Sequence, residues 1–144
     1  MSLLKDIPFF SELTDKEIIV FEPHTHIKFF KAGTLLEEEE TFALQCHIVQ
    51  SGKAEVIKNP GAPGETVLAT LGKDEFFGEM AFLSGENRAA AIRVAEDMST
   101  MSFSVPAVDS VGQDHPSIAL KIYRQWLNKS IEHIRSMNVK LSKD

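Results

Sequence analysis

The chain has 144 residues, 43% of them apolar and 25% charged, which suits one globular domain whose core needs no disulfide or metal staple. A net charge of −6 without a basic run argues against direct nucleic-acid binding. No stretch approaches ~18 apolar residues, and Lys5, Asp6, Glu12 and Asp15 interrupt the N-terminus, so neither a membrane span nor a signal peptide is expected. Cys46 is the single cysteine, which excludes an internal disulfide and favours a reducing, cytoplasmic compartment.

Residues 1–23 read as a helical segment. Leu3, Leu4, Ile7, Phe9, Phe10 and Leu13 form an apolar patch broken by Pro8. Thr14 with Glu17 three residues on is a capping box ahead of Ile18, Ile19, Val20 and Phe21, and Pro23 ends the segment. From 24 to 105 the period changes. Short apolar runs recur at His26–Phe30, Thr34–Leu36, Phe42–Gln50, Ala54–Ile57, Thr66–Leu71, Ala89–Val94 and Met98–Val105. Glycine, proline and acidic residues separate them. About seven such strands predict a mainly β fold, an antiparallel jelly-roll (double-stranded β-helix) sandwich. Ile48 to Val56, centred on Ser51-Gly52, reads as a tight hairpin. Asn59 to Gly64 reads as an exposed hairpin tip, and Glu37 to Glu40 as a solvated turn.

Residues 106–144 read as C-terminal helices. Ala107, Val108 and Val111 suggest a short helix ended near Gly112, and Pro116 opens a long one. Along it, Leu120, Leu127, Ile131, Ile134 and Leu141 form one apolar stripe, with Arg124 and Asn138 in the remaining seam positions. Ile118, Ile122, Trp126 and Met137 form a second. One stripe suits the sandwich and the other a partner helix, so a homodimer through this helix is expected.

Metal and nucleophile chemistry find little support. His24-Thr25-His26 has the H-x-H pattern that jelly-roll cupin metalloenzymes use, but no carboxylate follows before Glu37. A metal site there is the remotest reading, and these histidines are expected at a rim. His47 and His133 are expected to be structural, and His115 to sit beside the N-cap of the long helix. Cys46 in its strand reads as a buried filler, with His47 on the opposite face. Neither G-x-S-x-G nor a phosphate loop occurs, so no enzyme activity is expected.

One stretch gathers anion-binding parts. Phe76-Phe77-Gly78-Glu79-Met80-Ala81-Phe82-Leu83 runs into a polar loop and then Arg88-Ala89-Ala90. Glycine permits close backbone approach, and the amides of a helical turn after it lack intrahelical partners. Glu79 adds an acceptor and Arg88 a planar, permanently charged donor fork. The set suits a small ligand with hydroxyls and a phosphate.

Gly78-Glu79-x-Ala81 followed by Arg88-Ala89-Ala90-x-Ile92-x-Val94 resembles the phosphate-binding cassette of cyclic nucleotide-binding domains, such as those of the cyclic-AMP-dependent kinase regulatory subunits and the catabolite activator protein. The resemblance spans nearly the whole chain as a single domain, residues 1–144, with the cassette at 76–90. Phe30 to Leu36 looks like the family's first hairpin, and Ile48 to Val56 like its central one. The resemblance implies that Glu79 accepts the ribose 2′-hydroxyl and Arg88 pairs with the cyclic phosphate. Gly78 would allow close approach, and the amides of Met80, Ala81 and Ala89 would complete the nest, with Ala90 closing the motif. Ala89 stands where a hydroxyl residue often accompanies cyclic GMP, which favours cyclic AMP, with cyclic GMP as the alternative ligand. Tyr123, Arg124 or Trp126 would meet the base. Asp74 stands where the family often has glycine, and Glu39-Glu40 where a Gly-Asp turn is common. The leading expectation is a non-enzymatic cyclic-nucleotide sensor without further cofactor, coupled to movement of the C-terminal helix. It would work as a homodimer or with an effector protein. The rival expectation is a ligand-free dimerisation module on the same fold.

Overall fold

The computed structural model describes residues 3–36, 45–77 and 90–142. Short helical pieces open the chain. Two 3-10 turns, Leu3–Asp6 and Pro8–Phe10, precede helix α1 (Asp15–Phe21), and a third covers Glu22–His24. The expected capping box forms in full. The Thr14 amide donates to Glu17 Oε1 at 2.8 Å and the Glu17 amide to Thr14 Oγ1 at 3.2 Å. Pro8 starts the second turn rather than breaking a helix, which suits its missing N–H.

The strands are β1 (His26–Phe30), β2 (Leu35–Leu36), β3 (Gln45–Lys58), β4 (Thr66–Leu71), β5 (Phe76–Phe77) and β6 (Ala90–Ser104). All pairings are antiparallel. β3 and β6 run together from Gln45↔Ser104 to Lys58↔Ala90. β1 and β5 flank one half of this ribbon, and β2 and β4 flank the other. The expected mainly β antiparallel roll with flanking helices is the observed fold.

Two expected hairpins do not form. β3 passes straight through Ser51-Gly52, so residues 48–56 make no tight hairpin. Two short apolar runs around a glycine also describe one long strand with a bulge, and periodicity cannot separate the two. Gly52 carries that bulge at φ +85°, beside register shifts against β6. A Cβ there would lie 2.2 Å from the Asp97 carbonyl oxygen, so the crossing of the two strands needs glycine. Glu96-Asp97, the acidic pair between the expected runs Ala89–Val94 and Met98–Val105, lies within the continuous strand β6. The turn at Lys31–Thr34 is present, but β1 and β2 each pair with β6 rather than with each other. The Asn59–Gly64 connection does join paired strands, with Asn59, Gly61 and Gly64 at positive φ.

Helix α2 covers Val105–Asp114 and α3 covers Pro116–Ser142. Gly112 does not end α2. It lies inside the helix, where an added Cβ would fall 2.8 Å from Ala119 Cβ, so it lets α3 pack closely. Two apolar clusters share the sheet. One holds Val49, Val56, Phe77, Ile92, Val94 and Met98, with Phe30 and Leu36 against it. The other joins Cys46, Ile48, Phe76, Met101 and Phe103 to Phe9, Phe10 and Phe21 and to Ile118, Ile122 and Trp126 of α3. Cys46 is fully buried and His47 turns to the opposite face, as alternation requires.

Candidate functional site

Gly78, Glu79, Met80, Ala81, Arg88 and Ala89 lie outside the described residues, as does the acidic run Glu37–Glu40. What the structure fixes is where the connection 78–89, expected to carry the cassette residues, leaves and re-enters the sheet. Phe76 and Phe77 pair with Ile48 and His47 near one end of β3. Ala90 begins β6 opposite Lys58, at the other end of that strand. Both strands that flank the connection 78–89 therefore pair with β3.

Alternation sends the two phenylalanines of β5 to opposite sides. Phe77 is buried among the inner cluster, with its ring stacked 4.9 Å from that of His47. Phe76 is buried in the helix-side cluster. From it a row of rings leads to α3. Phe76 meets Phe9 at 5.6 Å, Phe9 meets Phe103 at 5.7 Å, and Phe103 meets Trp126 at 5.4 Å. The bridging ring, Phe9, comes from the N-terminal segment. Tilted and edge-on ring pairs of this kind stabilise the fold beyond the effect of the area they bury.

Asp74, two residues before β5, adopts φ +73°, a left-handed conformation that glycine takes most readily. Its amide donates to the Val49 carbonyl at 2.8 Å, which holds the turn against β3. An aspartate thus holds a left-handed backbone at the position where the sequence comparison expected glycine to be common.

The three expected base contacts are all engaged elsewhere. Tyr123 donates its hydroxyl to Asp109 Oδ1, and burial together with that carboxylate pushes the phenol up. Arg124 Nη1 lies 3.3 Å from Glu12 Oε1. Trp126 is 7% exposed and packs against Phe103 and Tyr123. Its Nε1 is buried without a partner among the described residues. Arg93, a few residues beyond the cassette arginine, is also committed, to Glu55 at 3.4 Å and Glu65 at 3.1 Å.

The structure adds a clip that sequence reading missed. Glu17, the capping-box carboxylate, accepts from Ser117 Oγ at 2.6 Å and from Lys121 Nζ at 2.7 Å. Burial works against its ionisation. Hydrogen bonds from Lys121, Ser117 and the Thr14 amide, with the Lys121 charge, outweigh that and hold the carboxyl at about 2. With Glu12–Arg124, this pins the N-terminal segment along the start of α3. His24 and His26, the candidate metal pair, are exposed, and His24 stacks on Phe21. No group of three metal-binding side chains occurs among the described residues.

Comparison with known proteins agrees with this architecture. The family model for the cyclic nucleotide-binding domain matches residues 27–115. The chain belongs to that family. It is 27% identical over 105 residues, 73% of its length, to a cAMP-dependent protein kinase regulatory subunit of Schizosaccharomyces pombe. It is 25% identical over 126 residues, 88% of its length, to cyclic GMP-binding protein C of Dictyostelium discoideum. It spans 24% and 5% of those two proteins. A cyclic nucleotide-binding domain from Methylobacillus flagellatus superposes with a TM-score of 0.77 at 19% identity, over 98% of this chain and 80% of that one, a likeness of fold. No described helix is long and apolar enough to cross a membrane.

Proposed function

We propose that this chain is a cyclic-nucleotide receptor module, cyclic AMP being its preferred ligand, that works by binding rather than by catalysis. The observation that carries this is the placing of the cassette sequence. Glu79 and Arg88 fall in the connection whose two ends are anchored on β3, inside the stretch that matches the family. Glu79 would hold the ribose hydroxyls and Arg88 the phosphate. Gly78 and the amides of Met80, Ala81 and Ala89 would line the anion, with Ala90 leading into β6. A net charge of −6 opposes an anionic ligand at long range, so Arg88 would supply the local positive field.

The ring row from Phe76 to Trp126 supports coupling between cassette and α3. A cassette that tightens on its ligand would draw on Phe76, and the shift would reach α3 through Phe9 and Phe103. For Arg124 or Tyr123 to reach the base, it would give up Glu12 or Asp109, and ligand binding would bias that exchange.

The outer face of α3 supports self-association. Leu120, Leu127 and Ile131 are exposed in the single chain, whereas Ile118, Ile122 and Trp126 are buried. With Ile134, Asn138 and Leu141 they continue a heptad seam suited to a parallel pair.

Calorimetric titration of the purified chain with cyclic AMP and with cyclic GMP is the direct test. The expected result is saturable heat with tighter binding of cyclic AMP. The absence of binding by either nucleotide at millimolar concentration defeats the receptor reading and leaves the dimerisation module.

A further inference from the structure

One rung of the sheet runs unbroken across four strands. His26 of β1 stands opposite Ser102 of β6, Ser102 opposite His47 of β3, and His47 opposite Phe77 of β5. Residues on one rung share a face, so their side chains meet. The middle of this rung is polar although it is buried. Ser102 is fully buried and His47 is 4% exposed, and Thr100, two residues along β6 on the same face, is fully buried too. His47 Nδ1 and Ser102 Oγ share a hydrogen bond of 2.7 Å, and Ser102 Oγ and Thr100 Oγ1 another of 2.9 Å.

Apolar side chains would fill this space without the cost of desolvating an imidazole and two hydroxyls. What the hydrogen-bonded chain adds is orientation. It fixes the plane of the His47 ring, which an aliphatic side chain would not define. Two aromatic rings read that plane. Phe77 stacks nearly parallel to it, at 4.9 Å and 22°, and Phe30 stands edge-on at 6.3 Å and 85°. Burial, with Lys28 and His26 on β1, lowers the His47 pKa to about 4, so the ring is neutral at neutral pH. Lys28 is itself tethered, since its Nζ donates to Gln45 Oε1 at 3.0 Å.

Phe77 is the residue directly before Gly78. We propose that His47, oriented by Ser102 and Thr100, is a positioning residue for the cassette: its ring sets the attitude of Phe77 and so the direction in which the chain leaves β5 toward Glu79. The inference rests on the cyclic-nucleotide reading for its functional consequence, but its structural half stands without a ligand. Ser102 and Thr100 act through His47, and His47 through Phe77. None of the three is assigned to the ligand itself.

The test uses Ser102→Ala, which deletes the pin and little volume, Ser102→Thr, which restores a hydroxyl, and His47→Phe, which keeps a ring without the hydrogen bond. Amide hydrogen exchange across 78–89 is measured in the ligand-free chain, beside thermal unfolding and calorimetric affinity for cyclic AMP. We expect Ser102→Ala and His47→Phe to speed exchange in 78–89 and to weaken cyclic AMP by about fivefold or more, with Ser102→Thr returning both toward wild type. Exchange in 78–89 unchanged in Ser102→Ala and His47→Phe, with only the unfolding temperature lowered, overturns the proposal and leaves a packing role. A wild-type chain that binds no cyclic nucleotide sinks the receptor reading alone. The exchange data then decide the positioning role by themselves.

Discussion

Lys121 Nζ of helix α3 donates to Glu17 Oε1 at 2.7 Å, across 104 residues of sequence. The same oxygen accepts from the Thr14 amide, so one carboxylate both caps α1 and fastens α1 to α3. This makes the N-terminal segment and the start of α3 a single body.

The Glu17 clip has a pH signature. Its pKa is about 2 in the folded chain against an ordinary 4.5. A depressed carboxyl stabilises the fold fully above the unfolded value and loses that contribution as pH falls through the folded one. Wild type should therefore lose stability between about pH 4.5 and pH 2 in part through this group. Glu17→Gln keeps the shape but not the charge. It should cost about 1.5–3 kcal/mol at neutral pH and flatten this portion of the acid limb. Thermal unfolding of both proteins across that range is the measurement. Parallel acid limbs in the two proteins would refute the assignment.

Asp74 offers a gain of stability rather than a loss. Its φ of +73° is strained for a residue with a Cβ, although aspartate tolerates it better than most. Asp74→Gly removes that strain and adds entropy to the unfolded chain, which offsets part of the benefit. The expected net effect is about 0.5 kcal/mol of stabilisation, read by denaturant unfolding. A loss of stability would mean that the aspartate side chain is itself needed at the turn.

The mainly β class and the two stripes of α3 were legible because each rests on periodicity within one element. Ile118, Ile122 and Trp126 bury and Leu120, Leu127 and Ile131 do not, as a 3/4 spacing suggests. Gly52 shows where such reading stops. A glycine between two apolar runs marks a hairpin or a bulge equally well, and the choice is made by Asp97 on another strand. Gly112 repeats the lesson, since Ala119 of the next helix decides its role. The family was legible from the pattern around Glu79 and Arg88, while the roles proposed for those two residues fall outside the described part of the chain. Tyr123, Arg124 and Trp126 could be named as aromatic or cationic neighbours of a base, but their partners Asp109, Glu12 and Phe103 are long-range facts. So are Lys121 for Glu17 and Ser102 for His47.

Arg88 separates the receptor from a module that kept only the fold. A charged hydrogen bond contributes about 1.5–3 kcal/mol, so Arg88→Ala should weaken cyclic AMP by about tenfold or more. Arg88→Lys keeps the charge and loses the fork, so it should fall between the two. Calorimetry gives the affinities, and the unfolding temperatures show whether the fold is intact. Equal affinity of wild type and Arg88→Ala would place the phosphate elsewhere.

Leu127 tests the proposed dimer without disturbing the protomer. It is 57% exposed in the single chain, so Leu127→Glu removes little packing there and should leave a protomer's own stability nearly unchanged. In a paired helix it sits in the seam with Leu120 and Ile131, and two carboxylates would face each other across the axis. Arg124 occupies a seam position as well, but it pairs with Glu12 of its own chain, so its charge need not be buried unpaired. Sedimentation equilibrium should therefore report a dimer for wild type and a monomer for Leu127→Glu. A monomeric wild type, or a dimer that survives the glutamate, removes α3 as the interface and returns its outer leucines to solvent.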